Sequence, residues 1–224
     1  FADEMSFRLK DSSNAYLPKK LGGITYGVHL GQVYTDYSTG SFKVTDNTTD
    51  FAIDGNGFFA IAFTDKQGNT SVKYTRDGSF TVNTEGYLVT KDGDYVLNAT
   101  GAMNGDPSRN NFIQVDPNAT VTVNKMGYVI QNDQVVGTLG VVDVDNYDYL
   151  EKYGENMYNL LDGGNRIATD AKVEQGVLET SNVNVVNEMV NMITIQRAYE
   201  ANQKVITSID STLDRAVNNV GRVQ

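Results

Sequence analysis

The hydrophobic pattern of this chain changes period once. Over the first 180 residues, apolar and aromatic positions come in short runs separated by glycine-bearing polar turns. Phe51-Ala52-Ile53 runs into Asp54-Gly55-Asn56-Gly57 and on into the apolar stretch 58–63. Asp65-Lys66-Gln67-Gly68-Asn69 is turn chemistry ahead of 71–75, and Arg76-Asp77-Gly78 turns the chain again. Gly78, Gly86 and Gly93 follow at spacings of eight and seven, each in a polar turn between β-branched and aromatic runs. Evenly spaced short strands of this kind predict an antiparallel meander, barrel or sandwich. Two further hairpin-like segments are read at 120–124 with 127–131 and at 135–144. Residues 1–40 are irregular, with an extended stretch at 24–37 read as a strand or long arm. Residues 146–180 are Tyr- and Gly-rich and show no clear period.

From residue 181 the pattern is helical. Met192, Ile195, Tyr199, Asn202, Ile206, Ile209, Leu213, Ala216 and Val220 recur at alternating spacings of three and four, a heptad seam with one polar member. Asn182 or Asn184 is the expected N-cap, with Glu188 in the first turn complementing the helix dipole. Gly221 is the expected C′ residue, with Arg215 and Arg222 near the carbonyl end. At 1.5 Å per residue, 185–220 spans about 54 Å, more than a small β-domain can cover. The seam is therefore expected to pack against another helix, and Asn202 to fix register and partner choice. The predicted organisation is an extended arm at 1–45, a β-rich centre at 46–150, a return segment at 151–180 and an assembly helix at 181–224. The fold class is mainly β: an antiparallel β-domain with extended arms and one long C-terminal α-helix.

Composition narrows the functions. The chain has 224 residues, 18 basic against 28 acidic, and a net charge of -10. That balance argues against nucleic acid, whose binding rests on Lys and Arg neutralising phosphate, and against a polybasic membrane contact. From 177 onward five acids face four bases, so nearly all the negative charge lies on the body and the helix is free to associate laterally. There is no cysteine, hence neither disulfide nor thiol chemistry. No apolar run approaches the roughly 20 residues of a membrane span. The first residue is Phe1 rather than Met, which leaves a processed or truncated start open.

The candidate chemical motifs fail one by one. His29 is the only histidine, and without cysteine it offers no zinc set. No G-x-S-x-G elbow accompanies it, so a strand or surface histidine is the better reading. Gly55-Asn56-Gly57-Phe58-Phe59-Ala60 matches a dinucleotide G-x-G-x-x-A in letters, but a β run follows where that motif needs a helix. Asp143-Val144-Asp145-Asn146-Tyr147-Asp148 resembles a calcium loop until position 5 proves to be Tyr147 and position 12 Gly154. Catalytic, cofactor and metal residues are thus assigned to none, and no small-molecule substrate is expected. The rival reading is a carbohydrate-binding or polysaccharide-acting extracellular β-domain, supported by the Tyr-rich body and weakened by the absence of tryptophan.

Several long stretches carry a family resemblance. The run 179–190 (Glu-Thr-Ser-Asn-Val-Asn-Val-Val-Asn-Glu-Met-Val), with Gln196-Arg197-Ala198-Tyr199-Glu200, resembles the C-terminal signature of bacterial flagellar rod and hook proteins. Asp50 to Phe59, Tyr74-Thr75-Arg76-Asp77-Gly78-Ser79-Phe80 and Gly86-Tyr87-Leu88-Val89-Thr90 resemble its central motifs, in order, and Gln175-Gly176-Val177-Leu178-Glu179 resembles the segment leading into its terminal helix. Basal-body rod subunits of the proximal or distal type are more similar than hook subunits, which carry a larger central insertion. The resemblance implies a non-enzymatic axial subunit, exported unfolded through the flagellar type III apparatus and stacked helically into a shaft that carries torque. It implies copies of the chain and other rod and hook proteins as partners, and a place in the basal body within the cell envelope. It implies Ser181, Asn182, Val183 and Asn184 as the entry to the helix, and Met189, Arg197 and Tyr199 as core packing positions. Asn47-Thr48-Thr49 stands where the family often has Asn-Pro-Leu, a minor turn change. The family opens with an N-terminal helix that has no counterpart here. Phe1 is on that reading a cut made after it, and the seam around Ile206, Ile209 and Leu213 is expected to be the least settled part of the fold.

Overall fold

A computed structural model gives the fold; residues 7–8, 23–24 and 35–220 are described, with the backbone alone for 7–8, 23–24, 219 and 220. Residues 1–38 and 39–224 form two separate units. In the first, strands Phe7–Arg8 and Gly23–Ile24 pair antiparallel, Phe7 opposite Ile24. The expected strand or arm at 24–37, with His29 inside it, falls mostly outside the described residues, as do Gly221 and Arg222.

The second unit is built around strand Phe58–Thr64, whose first five residues are all buried. An apolar run without polar alternation suits a strand covered on both faces. It pairs along its length with Thr70–Thr75, from Phe59 opposite Thr75 to Thr64 opposite Thr70. The turn between them is tied by Asp65, whose carboxylate accepts from the amides of Gln67 and Asn69 at 2.8 and 2.9 Å. That Asx geometry holds the Asp65 carboxyl below its ordinary range, chiefly through the Asn69 amide. On the other edge of Phe58–Thr64 lie Tyr95–Val96 and Val141–Val144. The sheet continues from Tyr95–Val96 as a meander through Leu88–Thr90 to Phe80–Val82. Leu150–Tyr153 and Met157–Leu160 extend it beyond Thr70–Thr75. Beneath it, Phe51, Phe59 and Phe80 form the aromatic centre of the core, with ring centroids 5.2 Å apart for Phe59 and Phe80. The mainly β architecture with a single long C-terminal helix, Val185–Val220, is as the pattern predicts.

Two segments behave differently from the sequence pattern. Residues 135–144 do not stay together as one hairpin segment. Gln134–Thr138 pairs with Tyr128–Gln131 in a small three-stranded sheet with Thr122–Val123, while Val141–Val144 crosses to the main sheet. The crossing is fixed at Leu139, whose amide donates to Gly127 O at 2.7 Å, and Gly140, whose amide donates to Leu97 O at 2.9 Å. The stretch without clear period contributes five strands of two to four residues, all paired into the sheets. Each is too short to display alternation, and most of their residues are half-buried rather than cleanly in or out. Lys172–Gln175 returns against Phe51–Asp54, and Val177–Glu179 against Phe42–Val44. Gly55 and Gly57, at φ 125° and 138°, turn the chain between Phe51–Asp54 and Phe58–Thr64; a strand follows them, so the dinucleotide motif is a turn.

The aromatic centre sets the stability scale. Phe59→Ala, at a fully buried site, is expected to cost about 3–5 kcal/mol in urea denaturation. Val217→Ala, on the exposed helix, is expected to stay within about 0.5 kcal/mol of the parent.

Candidate assembly interface

The root of the helix is built from distant parts of the chain. The ribbon Val177–Glu179 with Phe42–Val44 places Leu178 opposite Lys43 and Glu179 opposite Phe42. It ends in Thr180, whose amide and hydroxyl both reach Ser41 O at 2.8 Å. The two strands cross so closely here that a Cβ on Gly40 would overlap the Thr180 carbonyl. Behind the ribbon, Asp50 gathers the turn before the core: its carboxylate accepts from Thr45 Oγ1 at 2.7 Å and Asn47 Nδ2 at 3.0 Å. Gln175 ties the same turn to the small sheet, donating to Thr48 O at 2.6 Å and Val121 O at 2.9 Å and accepting from the Val123 amide at 3.0 Å.

Arg76 clasps this root to the body. One guanidinium nitrogen donates to the carbonyls of Gly55 and Gly57, both at 2.8 Å, and another to Thr39 Oγ1 at 3.1 Å. Its Nε lies 3.0 Å from Glu179 Oε2 as an ion pair, and a second guanidinium nitrogen donates to Glu179 Oε1 at 3.4 Å. Glu179 Oε1 accepts from the Gly40 amide at 2.9 Å. The two side chains are 19% and 11% exposed, so the pair is shielded well enough to matter. A planar fork with several donors suits this task, because a lysine could not hold two carbonyls and a carboxylate at fixed angles.

The helix leaves this clasp through two local turns. Ser181 Oγ accepts from the Val183 amide at 3.2 Å, and Asn184 Oδ1 accepts from the amides of Val186 and Asn187 at 3.0 and 3.2 Å. Asn184 is therefore the N-cap, and Asn182 precedes it. Glu188 sits in the first turn as expected. Beyond the cap every side chain described on the helix is exposed. Met189, Met192, Ile195, Arg197, Tyr199, Asn202, Ile206, Ile209 and Leu213 are all on its surface, with Tyr199 71% exposed; the side chain of Val220 lies outside the described residues. The fold carries these positions along one rod, and none of the described residues covers those whose side chains are described. The sequence reading missed Arg76 as the joint, since its partners stand up to 103 residues away.

Two hollows among the described residues are poorly suited to ligands of the rival class. A hollow of about 310 Å³ is lined by Asp77, Asp92, Asp94 and Glu155 among others, and one of about 450 Å³ by Asp54, Asp143 and Asp170. Burial pushes the Asp94 carboxyl up, but neither hollow is lined by an aromatic ring on which a sugar could stack. Among the described residues no group of three His, Cys, Asp or Glu side chains is placed to hold a metal ion.

Removing the clasp tests its role. Arg76→Ala is expected to lower stability by about 3 kcal/mol, because two carbonyls and a carboxylate lose their partner. Glu179→Gln keeps an acceptor for the Gly40 amide and is expected to lose only about 1 kcal/mol. Chemical denaturation of both variants checks the order.

Comparison with known proteins covers both the body and the helix. Residues 174–219 match the family described as flagellar basal body rod FlgEFG protein C-terminal, and residues 52–131 match the flagellar hook protein FlgE/F/G D1 domain. The chain is 37% identical over 193 residues to the flagellar basal-body rod protein FlgF of Caulobacter vibrioides, covering 85% of this chain and 73% of that one. It is 34% identical over 226 residues to the rod protein FlgG of Buchnera aphidicola subsp. Acyrthosiphon pisum, covering 96% and 83%. With FlgG of Bacillus subtilis the identity is 33% over 203 residues, covering 87% and 74%. One match spans the helix and its root, another the meander and part of the small sheet, and the relatives run through both: the chain belongs to the flagellar basal-body rod protein family.

Proposed function

We propose that this chain is a structural subunit of the flagellar basal-body rod which stacks with copies of itself and with other axial proteins into the shaft carrying torque from motor to hook. The observation behind this is the 36-residue helix whose large apolar side chains are more than half exposed, inside the stretch matched to the rod C-terminal family. A monomer rarely leaves a continuous apolar surface of that size in water. The lead-in residues Ser181 to Asn184 fix where the helix begins, and the seam positions Met192, Ile195, Tyr199, Asn202, Ile206, Ile209, Leu213 and Val220 supply its packing surface. Met189 and Arg197 are further packing positions, on other faces of the same helix.

The mechanism is mechanical rather than chemical. Torque passes between subunits without loss only where each joint is stiffer than the load. The Arg76 clasp and the ribbon Val177–Glu179 with Phe42–Val44 supply a stiff joint between body and helix. Export through a narrow channel requires the chain to unfold, and the absence of cysteine leaves no covalent link to break first. The placement that follows is the envelope-spanning part of the basal body. Both FlgF and FlgG are among the relatives, which fits a rod subunit of either the proximal or the distal type.

The expected result of substituting Ile206→Gln together with Leu213→Gln is an unchanged thermal melt of the β body and a loss of motility and of incorporation into basal bodies. Normal incorporation of that variant would sink the reading.

A further inference from the structure

Two Asn-Gly pairs occur in the chain, Asn56-Gly57 and Asn104-Gly105, both among the described residues. Asparagine is a thermally labile side chain. It is most labile before glycine, because without a Cβ on the next residue the main-chain nitrogen can reach the asparagine Cγ and close a succinimide ring. The fold treats the two pairs differently. Asn104 ends the helix Ala99–Asn104, and the Gly105 amide donates to Gly101 O, so the attacking nitrogen is committed to the helix. Gly57 lies in the turn between Phe51–Asp54 and Phe58–Thr64, outside any helix, and Asn56 beside it is exposed.

The glycine at this turn is hard to replace. Gly57 stands at φ 138°, and a Cβ there would lie 3.3 Å from Thr169 Cγ2, Val141 Cγ1 and Val142 O. The Arg76 clasp meanwhile holds the pair still. One Arg76 nitrogen donates to Gly55 O and Gly57 O, both at 2.8 Å, on either side of Asn56. Thr169 Oγ1 donates to the carbonyl of Asn56 itself. Ring closure requires Asn56 to turn about its own Cα–C bond until Cγ meets the Gly57 nitrogen. Three consecutive carbonyls held by buried or half-buried donors resist that rotation.

We propose that Asn56-Gly57 is a site of spontaneous covalent modification, where succinimide formation is held back by Arg76 and Thr169. The Gly57 nitrogen bonds to Asn56 Cγ, the Cγ–Nδ2 bond breaks, and Nδ2 leaves as ammonia with the proton given up by the Gly57 amide. Water then opens the ring at either carbonyl, giving aspartate or isoaspartate. The reaction needs no partner, metal or oxidant. Aspartate sets a new charge beside Asp54, Asp143 and Asp170, which line the same hollow. Isoaspartate reroutes the main chain through Cβ and Cγ and lengthens it by one bond, about 1.5 Å. One arginine nitrogen then no longer keeps both Gly55 O and Gly57 O within hydrogen-bond reach. The modification thus undoes the clasp that restrains it, and the joint between body and helix loosens with age.

The test follows both sites in the same molecule. The folded full chain is incubated at mildly alkaline pH, and isoaspartate is located by isoaspartyl methyltransferase labelling with peptide mapping. It is expected to build up at residue 56 ahead of residue 104 in the folded chain, and at comparable rates at the two sites in urea. Residue 104 reacting first in the folded chain overturns the proposal, as does a preference for residue 56 that persists unchanged in urea. Arg76→Ala is expected to speed residue 56 several-fold and leave residue 104 as it was; a folded Arg76→Ala with an unchanged rate at residue 56 overturns the proposal. Thr169→Val keeps the methyl group, removes the donor to Asn56 O and is expected to speed residue 56 as well. If Arg76→Ala speeds both sites alike, having lost the fold, Thr169→Val decides, and an unchanged rate at residue 56 overturns the proposal. Aged wild type is expected to unfold at lower urea than fresh protein. Asn56→Gln aged in parallel is expected to keep its midpoint, because the larger ring closes far more slowly; an equal loss in both overturns the coupling to the clasp.

Discussion

The fold depends on one long-range closure. Strand Phe51–Asp54 pairs with Lys172–Gln175, so that Ile53 meets Val173 across the gap between residues at opposite ends of the body. Both side chains are buried in the same core as Phe59, Phe80 and Leu88. Everything between, the meander, the small sheet and the return strands, is a loop closed by that pairing. The entropy of closing so long a loop is offset only once the apolar surface inside it is covered. The body is therefore expected to form as a unit, and slowly for its size, since its contacts are mostly non-local. The helix adds none of these contacts and hangs on the clasp at Arg76.

How much of this was visible in the sequence follows from the range of each interaction. The hairpin of Phe58–Thr64 with Thr70–Thr75 and the meander to Phe80–Val82 were legible because their turns are local: Asp65 bonds to residues two and four positions on. The helix was legible through its period and its cap at Asn184, another local device. The return strands were not, because two to four half-buried residues have no readable alternation and owe their conformation to partners far along the chain. The crossing of Val141–Val144 into the main sheet was hidden for the same reason. At the interface, the seam positions from Met192 to Leu213 were found by heptad spacing. Val186, Val190 and Ile193, on the first turns of the helix, fall off that spacing and are too few to declare a period. Arg76 was quoted as part of a motif without a role, since nothing local reveals that its fork spans three segments.

Charge is divided in a way that suits the two parts. The helix carries four acids and three bases, whereas almost all of the net charge of -10 belongs to the body. Helices so balanced can approach one another, while like-charged bodies stay apart and hydrated. Within the body, two cations show how polar groups are held by specific partners. Lys73 donates to Asn159 Oδ1 at 2.8 Å and stands 4.3 Å from the centre of the Tyr153 ring, and its burial draws the ammonium pKa down. Arg166 reaches the buried Tyr74 hydroxyl.

The cap at Asn184 also acts as an angular reference. Between Glu179, held by Arg76, and Asn184, which starts the helix, lie four residues, Thr180 to Val183, bound by hydrogen bonds of fixed reach. The azimuth of every side chain beyond is thereby set relative to the body. One residue added just past the cap, inside the first helical turn, would turn the rest of the rod by about 100° relative to the body. Its surface would be chemically intact and out of phase, a lesion that no inventory of conserved side chains would detect.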